Sequence, residues 1–364
     1  MIYVSVSYNY SPAFDSPESW FKRTEGYAGV LECLSKKNTV HNVKQISFKG
    51  TSVHNGVTFH FVDFGKKKTY FPQRLNRFIM NLNPDIVIVQ GLHHPLQLIQ
   101  LRLSLNKHAR IIAQHHAERP FNGIKKYIQK VADKFVDAYL FASHAMGMEW
   151  VEKGNLSSAG KINEAMEVSS TFYPIEKDLA KIKTGAKGSP VFLWVGRLNA
   201  NKDPINVVKA FLKYSEINPD AKLYMIYHTD ELLNDIKKLL SSDSCPVILI
   251  GQVAHSDLLY WFNSADYFIS GSHYEGSGTA VCEAMSCGCV PVVTDILSFR
   301  MITNNGECGL LYSVGNETAL LTALLKTKNL NVAEKRDKSL SHFKEKLSFE
   351  AIAKQIDAIA NSLT

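Results

Sequence analysis

The sequence has no uninterrupted apolar run long enough to cross a bilayer, since a spanning helix needs about 20 such residues. Its opening stretch, MIYVSVSYNY, has neither a basic leader nor a long apolar segment, and so indicates a first β-strand rather than a signal peptide. The sequence also contains no repeat, low-complexity tract or coiled coil. We therefore expect a globular protein that stays in the cytoplasm.

Metal-binding cysteine patterns are missing as well. Of six cysteines, Cys282, Cys287 and Cys289 lie close together, but they form no CxxC pair and have no second half-site. This spacing argues against zinc and favours buried free thiols among small and apolar residues.

Charge is modest and dispersed. Charged residues make up 21% of the chain, and the formal net charge is +7 with the lysines scattered. Without a basic patch, this composition argues against a nucleic-acid partner. The mild positive excess is compatible with a phosphorylated substrate or with peripheral contact with the inner surface of a membrane.

The length of 364 residues predicts two domains with a cleft between them. Short β-rich runs alternate with helical patterns, which predicts parallel sheets covered by helices. From Lys177 to Pro190 the apolar period stops, so residues 177–190 are predicted to connect a first domain, residues 1–176, to a second, residues 191–348. Residues 349–364 carry an amphipathic closing helix, assigned to the first domain. The predicted strands are Tyr3–Ser7, Thr58–Phe64, Ile86–Gln90, Arg110–Gln114, Tyr139–Phe141, Val191–Val195, Lys222–Tyr227, Val247–Ile250, Tyr267–Ser270 and Val290–Val293.

The stretch from Ser270 to Pro291, SGSHYEGSGTAVCEAMSCGCVP, predicts a strand end, a glycine loop and a helix that begins near Thr279 or Ala280. Ligands of parallel α/β sheets bind at the carboxyl ends of strands, where a glycine loop lets a phosphate approach the free amides of a helix start. The pattern therefore favours an anionic ligand. The loop glycines are Gly271, Gly276 and Gly278.

Two glutamates, Glu275 and Glu283, bracket this loop with seven residues between them. Glu283 falls in the first helical turns, where a carboxylate can accept both hydroxyls of a vicinal diol such as ribose, and Glu275 could do the same for a sugar ring. The structural alternative makes Glu275 a turn residue and Glu283 a helix residue near a favourable dipole end.

A second strand end carries two cations. In VGRLNANKDP, Arg197 and Lys202 flank a short loop after the predicted strand Val191–Val195. Two cations at this edge of a sheet could neutralise a diphosphate as it leaves, whereas the alternative is a surface salt bridge. Asp203–Pro204 begins a helix just behind the loop and adds amide donors on the same side.

At these residues the chain resembles the retaining glycosyltransferases of GT-B fold, which include glycogen synthases, sucrose synthases and bacterial mannosyltransferases. The resemblance is carried by GRL-xxx-K at Gly196 to Lys202, by Glu275 and Glu283, and by EAMSCGCVPVVT at Glu283 to Thr294. KINEAMEVSSTFYP and LSFEAIAKQI extend it over nearly the whole chain. The resemblance implies an α/β protein with two Rossmann-like domains whose parallel sheets face each other across a cleft.

The resemblance also implies roles. Arg197 and Lys202 would hold the donor diphosphate, Glu283 the nucleotide ribose and Glu275 the sugar hydroxyls. It implies retention of anomeric configuration without a bound metal or any cofactor, with the donor on the second domain and the acceptor on the first. The remaining donor-binding positions are Gly196, Gly276, Gly278, Thr279 and Ala280.

In the first half, RIIAQHHAERP places His115 and His116 just past a strand end, where family members carry a histidine beside the donor sugar. Counting from the strand favours His116, which could bond the sugar or orient the acceptor hydroxyl. The alternative is a histidine packed at a domain interface. The chain lacks the family's glycine-rich loop after the first strand, and Trp20 or Tyr27 could instead stack on a sugar acceptor.

We therefore expect a glycosyltransferase that moves a hexose-type sugar from a nucleoside diphosphate to a hydroxyl of a glycan, a lipid-linked sugar or a small metabolite. Two other classes remain open. One is a nucleotide-sugar epimerase on the same scaffold, which would need acid and base carboxylates that the sequence does not place. The other is a non-catalytic nucleotide-sugar-binding module.

Overall fold

The computed structural model describes residues 1–24, 29–66, 69–240 and 245–364. The chain forms two compact units, Met1–Glu167 with Phe349–Thr364, and Val168–Ser348. Residues 177–190, predicted as a connection, fall within the second unit and contain a helix over Lys177–Thr184.

The first unit is built on a sheet of strands covered by helices. The strands are β1 Ile2–Ser11, β2 Thr39–Ile46, β3 Gly50–His54, β4 Val57–Val62, β5 Ile86–Gln90, β6 Arg110–Gln114, β7 Ala138–Phe141 and β8 Ile162–Glu164. The helices before the second unit are α1 Pro17–Thr24, α2 Gly29–Ser35, α3 Gln73–Asn81, α4 Pro95–Ser104, α5 Gly123–Ala132 and α6 His144–Glu152. Two 3-10 turns cover Asp133–Phe135 and Ala159–Lys161.

The strand order of this sheet is β3-β4-β2-β1-β5-β6-β7-β8. Only the β3–β4 pair among the described strands is antiparallel. Strand β1 pairs with β2 on one side and with β5 on the other, so the order reverses between β1 and β5. Residues 86–89 of β5 are all buried, as expected for a parallel strand covered on both faces. Open α/β sheets bind ligands beside such a reversal, at the carboxyl ends of the strands.

The second unit has its own parallel sheet. Its strands are β9 Val191–Gly196, β10 Lys222–Tyr227, β11 Val247–Gly251, β12 Tyr267–Ser270, β13 Val290–Thr294 and β14 Leu310–Tyr312. Its helices are α7 Lys177–Thr184, α8 Pro204–Ile217, α9 Leu233–Leu239, α10 Leu258–Ser264, α11 Thr279–Ser286, α12 Leu297–Ile302, α13 Glu317–Lys326 and α14 Val332–His342. Short 3-10 turns cover His255–Asp257 and Thr327–Asn329, and a π-helical turn covers Phe343–Leu347.

This second sheet has the order β11-β10-β9-β12-β13-β14. Strand β9 pairs in parallel with β10 and with β12, so the order reverses between β9 and β12. Its core packs the buried aromatic side chains of Phe192, Trp194 and Phe211 beneath this point. The loops after β9 and β12 therefore occupy the position where ligands of such sheets bind.

The closing helix α15, Phe349–Leu363, belongs to the first unit. It buries Phe349, Ile352 and Ile356, and any side chain at Gly29 would overlap the Phe349 ring. The Tyr3 hydroxyl donates to the Asp357 carboxylate at 2.8 Å. Residues at the far end of the chain thus form part of the first core.

Candidate functional site

The loop after β9 carries the predicted cationic pair. Strand β9 ends at Gly196, Arg197 is exposed, and the backbone amide of Lys202 donates to the Asn199 carbonyl at 3.1 Å, which closes a turn. Asp203 then adopts a left-handed conformation with φ of 47° before Pro204 begins α8. This turn directs the loop back across the carboxyl end of the sheet.

The loop after β12 is joined to the β9 loop by backbone contacts. The His273 amide donates to the Asn201 carbonyl at 2.8 Å, and the Asn201 side chain donates to the Tyr274 carbonyl at 3.0 Å. A Cβ at Gly271 would lie only 3.1 Å from the Lys202 carbonyl oxygen. The absence of a side chain at Gly271 therefore lets the two loops approach.

Lys202 and Glu275 form an ion pair across these loops. Their side chains are 25% and 16% exposed, so the pair is partly shielded but open to a ligand. Asp203 accepts a hydrogen bond from His273 Nε2 at 3.1 Å. Arg197 has no carboxylate partner among the described residues. The two motifs that predicted the cations and the sugar-binding glutamate therefore meet at one point.

The start of α11 lies beside this pair. Gly278 caps the helix in a left-handed conformation with φ of 58°, and a Cβ there would lie 2.7 Å from Phe299 Cε1. Thr279 and Ala280 occupy the first turn, where backbone amides have no partner inside the helix. Gly276 precedes them and is buried. The predicted arrangement of a loop followed by a helix start is present, and anion binding there stays a prediction.

Glu283 has a protein partner that the sequence did not indicate. Its carboxylate, only 7% exposed, is 2.6 Å from His255 Nε2, and the His255 ring packs on Phe172 at 5.1 Å. Burial raises the pKa of Glu283, and the hydrogen bond from His255 partly offsets that rise. Sequence reasoning missed His255, although its position just after strand β11, in GQVAHSDLL, was an available signal.

In the first unit, the two adjacent histidines after β6 differ in burial and in their hydrogen-bond partners. His115 is buried, bonds the Glu118 carbonyl at 2.7 Å, and has its pKa lowered by burial. His116 is more exposed, with Nε2 at 2.7 Å from Gln90 Oε1 and Nδ1 paired with Glu167. Burial lowers the pKa of His116, but the bond and charge of Glu167 outweigh it, so that pKa is raised. Of the two, His116 is the one that a ligand could reach.

Glu118 connects the loops that follow β5 and β6. Its carboxylate accepts from the Leu92 and His116 amides at 2.8 and 2.7 Å, and from His93 Nδ1 at 2.8 Å. Burial alone would raise the pKa of Glu118, but these bonds lower it to about 2. His94 lies beside His93, and burial together with that neighbour lowers the His94 pKa to about 3. The sequence offered no sign of this arrangement beyond an acid two residues after His116.

Other predicted features have mixed outcomes. Trp20 lies on α1, with its ring edge-on to Phe14 at 5.3 Å, while Tyr27 lies outside the described residues, so their contact with an acceptor stays a prediction. Within the described parts of the chain, no group of three or more His, Cys, Asp or Glu side chains could hold a metal ion. The three clustered cysteines are buried, as predicted: Cys282, Cys287 and Cys289. No helix formed by the described residues is both long and apolar enough to span a membrane.

In a comparison with known protein families, the second unit matches one family. Residues 176–346 match the family described as Glycosyl transferases group 1. The matched residues lie within the second unit. The predicted family resemblance is confirmed, because the matched segment contains both glutamates and both cations of the site.

Two curated relatives are also glycosyl-transferring or glycoside-forming enzymes by name. The chain is 27% identical over 183 residues to UDP-Gal:alpha-D-GlcNAc-diphosphoundecaprenol alpha-1,3-galactosyltransferase of Escherichia coli, covering 48% of the chain and 45% of the relative. It is 31% identical over 135 residues to mannosylfructose-phosphate synthase of Agrobacterium fabrum, covering 34% and 30%. Each alignment thus spans less than half of the relative.

Solved structures support the architecture over the whole chain. The sucrose-phosphate synthase of Thermosynechococcus elongatus superposes with a TM-score of 0.74 at 16% identity, covering 100% of this chain and 98% of that one. At this identity the likeness concerns the fold. The predicted GT-B class, with two α/β units on parallel sheets, is confirmed.

Proposed function

We propose that this protein is a group 1 glycosyltransferase that moves a hexose-type sugar from a nucleoside diphosphate donor to an acceptor hydroxyl, with retention of configuration and without a metal. The observation that carries the proposal is the Lys202–Glu275 pair beside exposed Arg197 at the strand-order reversal of the second sheet. A cationic and an acidic group at one ligand-binding edge suit a molecule that is anionic at one end and hydroxylated at the other.

In this proposal the donor diphosphate binds Arg197 and Lys202, and the amides of α11 supply further positive potential. These groups stabilise the charge that develops on the diphosphate as it leaves, which is the task that a divalent ion would otherwise perform. The backbone contacts come from Gly196, Gly276, Gly278, Thr279 and Ala280.

Glu275 would accept hydrogen bonds from the sugar hydroxyls, and Glu283 would accept those of the ribose. His255 supports the second role, because its bond holds one oxygen of Glu283 and favours the ionised carboxylate that accepts from hydroxyls. Ribose binding thus depends on a histidine as well as on the glutamate.

For the first unit we propose acceptor binding, with His116 orienting the acceptor hydroxyl. The bond between the anomeric carbon and the diphosphate oxygen breaks, and the acceptor oxygen bonds to the same face of that carbon. The hydroxyl proton leaves with the diphosphate. The raised pKa of His116 suits a group that donates a hydrogen bond, and Glu167 fixes the direction of its ring.

The acceptor is the part that the relatives leave open. One relative is named for a GlcNAc-diphosphoundecaprenol acceptor, and the other for a product that is a sugar phosphate. We propose testing UDP-galactose first, because that nucleotide sugar is named for the relative that covers more of this chain.

The test begins with titration calorimetry of UDP, GDP and ADP in EDTA, followed by turnover with the matching sugar donors. Lys202→Met should weaken nucleoside diphosphate binding by about 30-fold, which corresponds to about 2 kcal/mol for a charged hydrogen bond. Glu275→Gln should leave that binding within a few-fold but remove most transfer from the nucleotide sugar, because its proposed partner is the sugar.

The ion pair Lys213–Glu317 provides a matched control in the same unit, at 2.6 Å and with a 61% exposed lysine. Lys213→Met and Glu317→Gln should leave binding and transfer unchanged. Unaltered binding in Lys202→Met, or full activity in Glu275→Gln, would contradict the assignments. Product analysis with a labelled donor separates a new glycoside from an epimerised nucleotide sugar.

A further inference from the structure

Helix α5 of the first unit exposes three of its four large apolar side chains. Ile124 is 80% exposed, Tyr127 is 70% exposed and Val131 is 47% exposed. The side chains that the helix buries are Gln129 and Ala132. Residues three and seven positions apart lie on one face of a helix, so the three exposed residues form one stripe. This is the reverse of an ordinary surface helix, which turns its apolar stripe inward.

The charge around this stripe has one sign. Over residues 123–134 the cations are Lys125, Lys126, Lys130 and Lys134, and the single acid is Asp133. Asp133 is fully buried, where its carboxylate accepts from the Ser157 amide at 3.0 Å. Lys130 and Lys134 are exposed. The segment therefore presents positive charge and apolar surface to its surroundings.

Neighbouring elements of this unit also expose apolar side chains. Helix α4 packs against α5, and its Leu103 is 76% exposed. The Gln100 side chain of α4 donates to the Tyr70 carbonyl at 3.0 Å, and Tyr70 and Phe71 are 68% and 65% exposed. Exposed apolar patches with a polar rim mark sites of protein or membrane contact.

We propose that the α5 surface, defined as Ile124, Tyr127, Val131, Lys130 and Lys134, docks on an anionic lipid bilayer. An apolar stripe flanked by lysines is the pattern of a helix that lies in the plane of a membrane interface, with its apolar face in the headgroup region. Anionic lipids attract lysines held near the surface. Residues 123–134 expose no acidic side chain. This matches an anionic membrane, whose whole surface carries one sign of charge, better than a protein partner, whose surface carries both signs.

The position of α5 connects this surface to the proposed acceptor site. The loop from β6 to α5 contains His116 and Glu118, so the helix begins at the carboxyl-end edge of the first sheet. On the assumption that the proposed function holds, docking would place that edge next to lipids, and the acceptor would be a lipid-linked molecule.

The test is co-sedimentation of the full chain with vesicles of phosphatidylcholine alone, or with about one third phosphatidylglycerol. The wild type should bind the anionic vesicles and leave the neutral ones largely unbound. Lys130→Gln with Lys134→Gln should weaken anionic binding by about 30-fold, as expected for two lysines near a charged surface. Ile124→Ser with Tyr127→Ser should weaken it at least tenfold, because the apolar contact is lost.

Ile182→Ser is the matched control, since Ile182 on the lysine-bearing helix α7 is 81% exposed. It should bind vesicles as the wild type does, and circular dichroism should show that all variants are folded. Equal binding to both vesicle types, or an equal loss in Ile182→Ser, would overturn the proposal. So would a dimer in sedimentation velocity that Ile124→Ser dissociates, because the surface would then join two copies. Donor binding is measured without lipid, so failure of the proposed function would appear separately.

Discussion

Replacing Glu118 by glutamine tests an electrostatic contribution to the stability of the first unit. The carboxylate is 12% exposed and accepts hydrogen bonds from the Leu92 and His116 amides and from His93. Burial on its own would raise the pKa of Glu118, yet the pKa is about 2, below the ordinary 4.5. The folded protein therefore stabilises the ionised Glu118 carboxylate relative to the unfolded chain.

The difference between these two pKa values corresponds to about 3 kcal/mol of folding free energy. Because the folded-state pKa is the lower one, this stabilisation is complete above pH 4.5 and is lost as the pH falls through about 2. We expect Glu118→Gln to lower the free energy of unfolding by about 2 to 3 kcal/mol at pH 7. Roughly 2 kcal/mol of the gap to the wild type should disappear by pH 3.

The assay is urea unfolding followed by circular dichroism at pH 7, 5 and 3, with Glu152→Gln as the control. Glu152 is an exposed carboxylate at the end of α6, and its replacement should have little effect at any of these pH values. A gap between wild type and Glu118→Gln that stays constant with pH would refute the electrostatic explanation. A Glu118→Gln variant as stable as the control would refute it as well.

Two further predictions concern the second unit. Gly278→Ala should lower the free energy of unfolding in urea by about 3 kcal/mol, because φ is 58° and the new Cβ would approach Phe299 to 2.7 Å. The control Gly185→Ala, at φ of 70° with no atom nearby, should lower it by about 1 kcal/mol. Equal losses in the two variants would contradict the steric argument. His255→Ala should weaken binding of the nucleoside diphosphate, measured by calorimetry, more at pH 5.5 than at pH 8. Without His255 the buried Glu283 loses the hydrogen bond that lowers its pKa, so more of the carboxyl is protonated at the lower pH. An equal loss of affinity at both pH values would contradict this explanation.

Ten of the fourteen described strands could be predicted from the sequence, and four could not. The bounds of β5 and β6 are those predicted, because strands buried on both faces read as continuous apolar runs. Strands β2, β3, β8 and β14 were missed. Strand β3 is a mostly exposed edge strand, and β8 is only three residues long, so neither carries a strong apolar pattern.

The contacts of the candidate site could likewise be predicted only in part. The Lys202–Glu275 contact could be inferred, because each residue follows a recognisable strand end and neighbouring strand ends meet at one edge of a sheet. The partners of Glu283 and His116 could not. His255 and Glu167 lie 28 and 51 residues from them, and only the strand order brings each pair together. One sequence carries no direct record of such pairings.

The return of α15 to the first unit constrains the order in which the chain can acquire its structure. A ribosome makes residues 168–348 before the helix that covers β1 and α2 exists. Once residue 348 has been made, the second unit has all of its own residues and can fold during synthesis. The core of the first unit is still incomplete at that stage, because it lacks the side chains of α15. The amino-terminal half is thus the later of the two to mature, and nascent chains held before residue 349 would present it to chaperones and proteases.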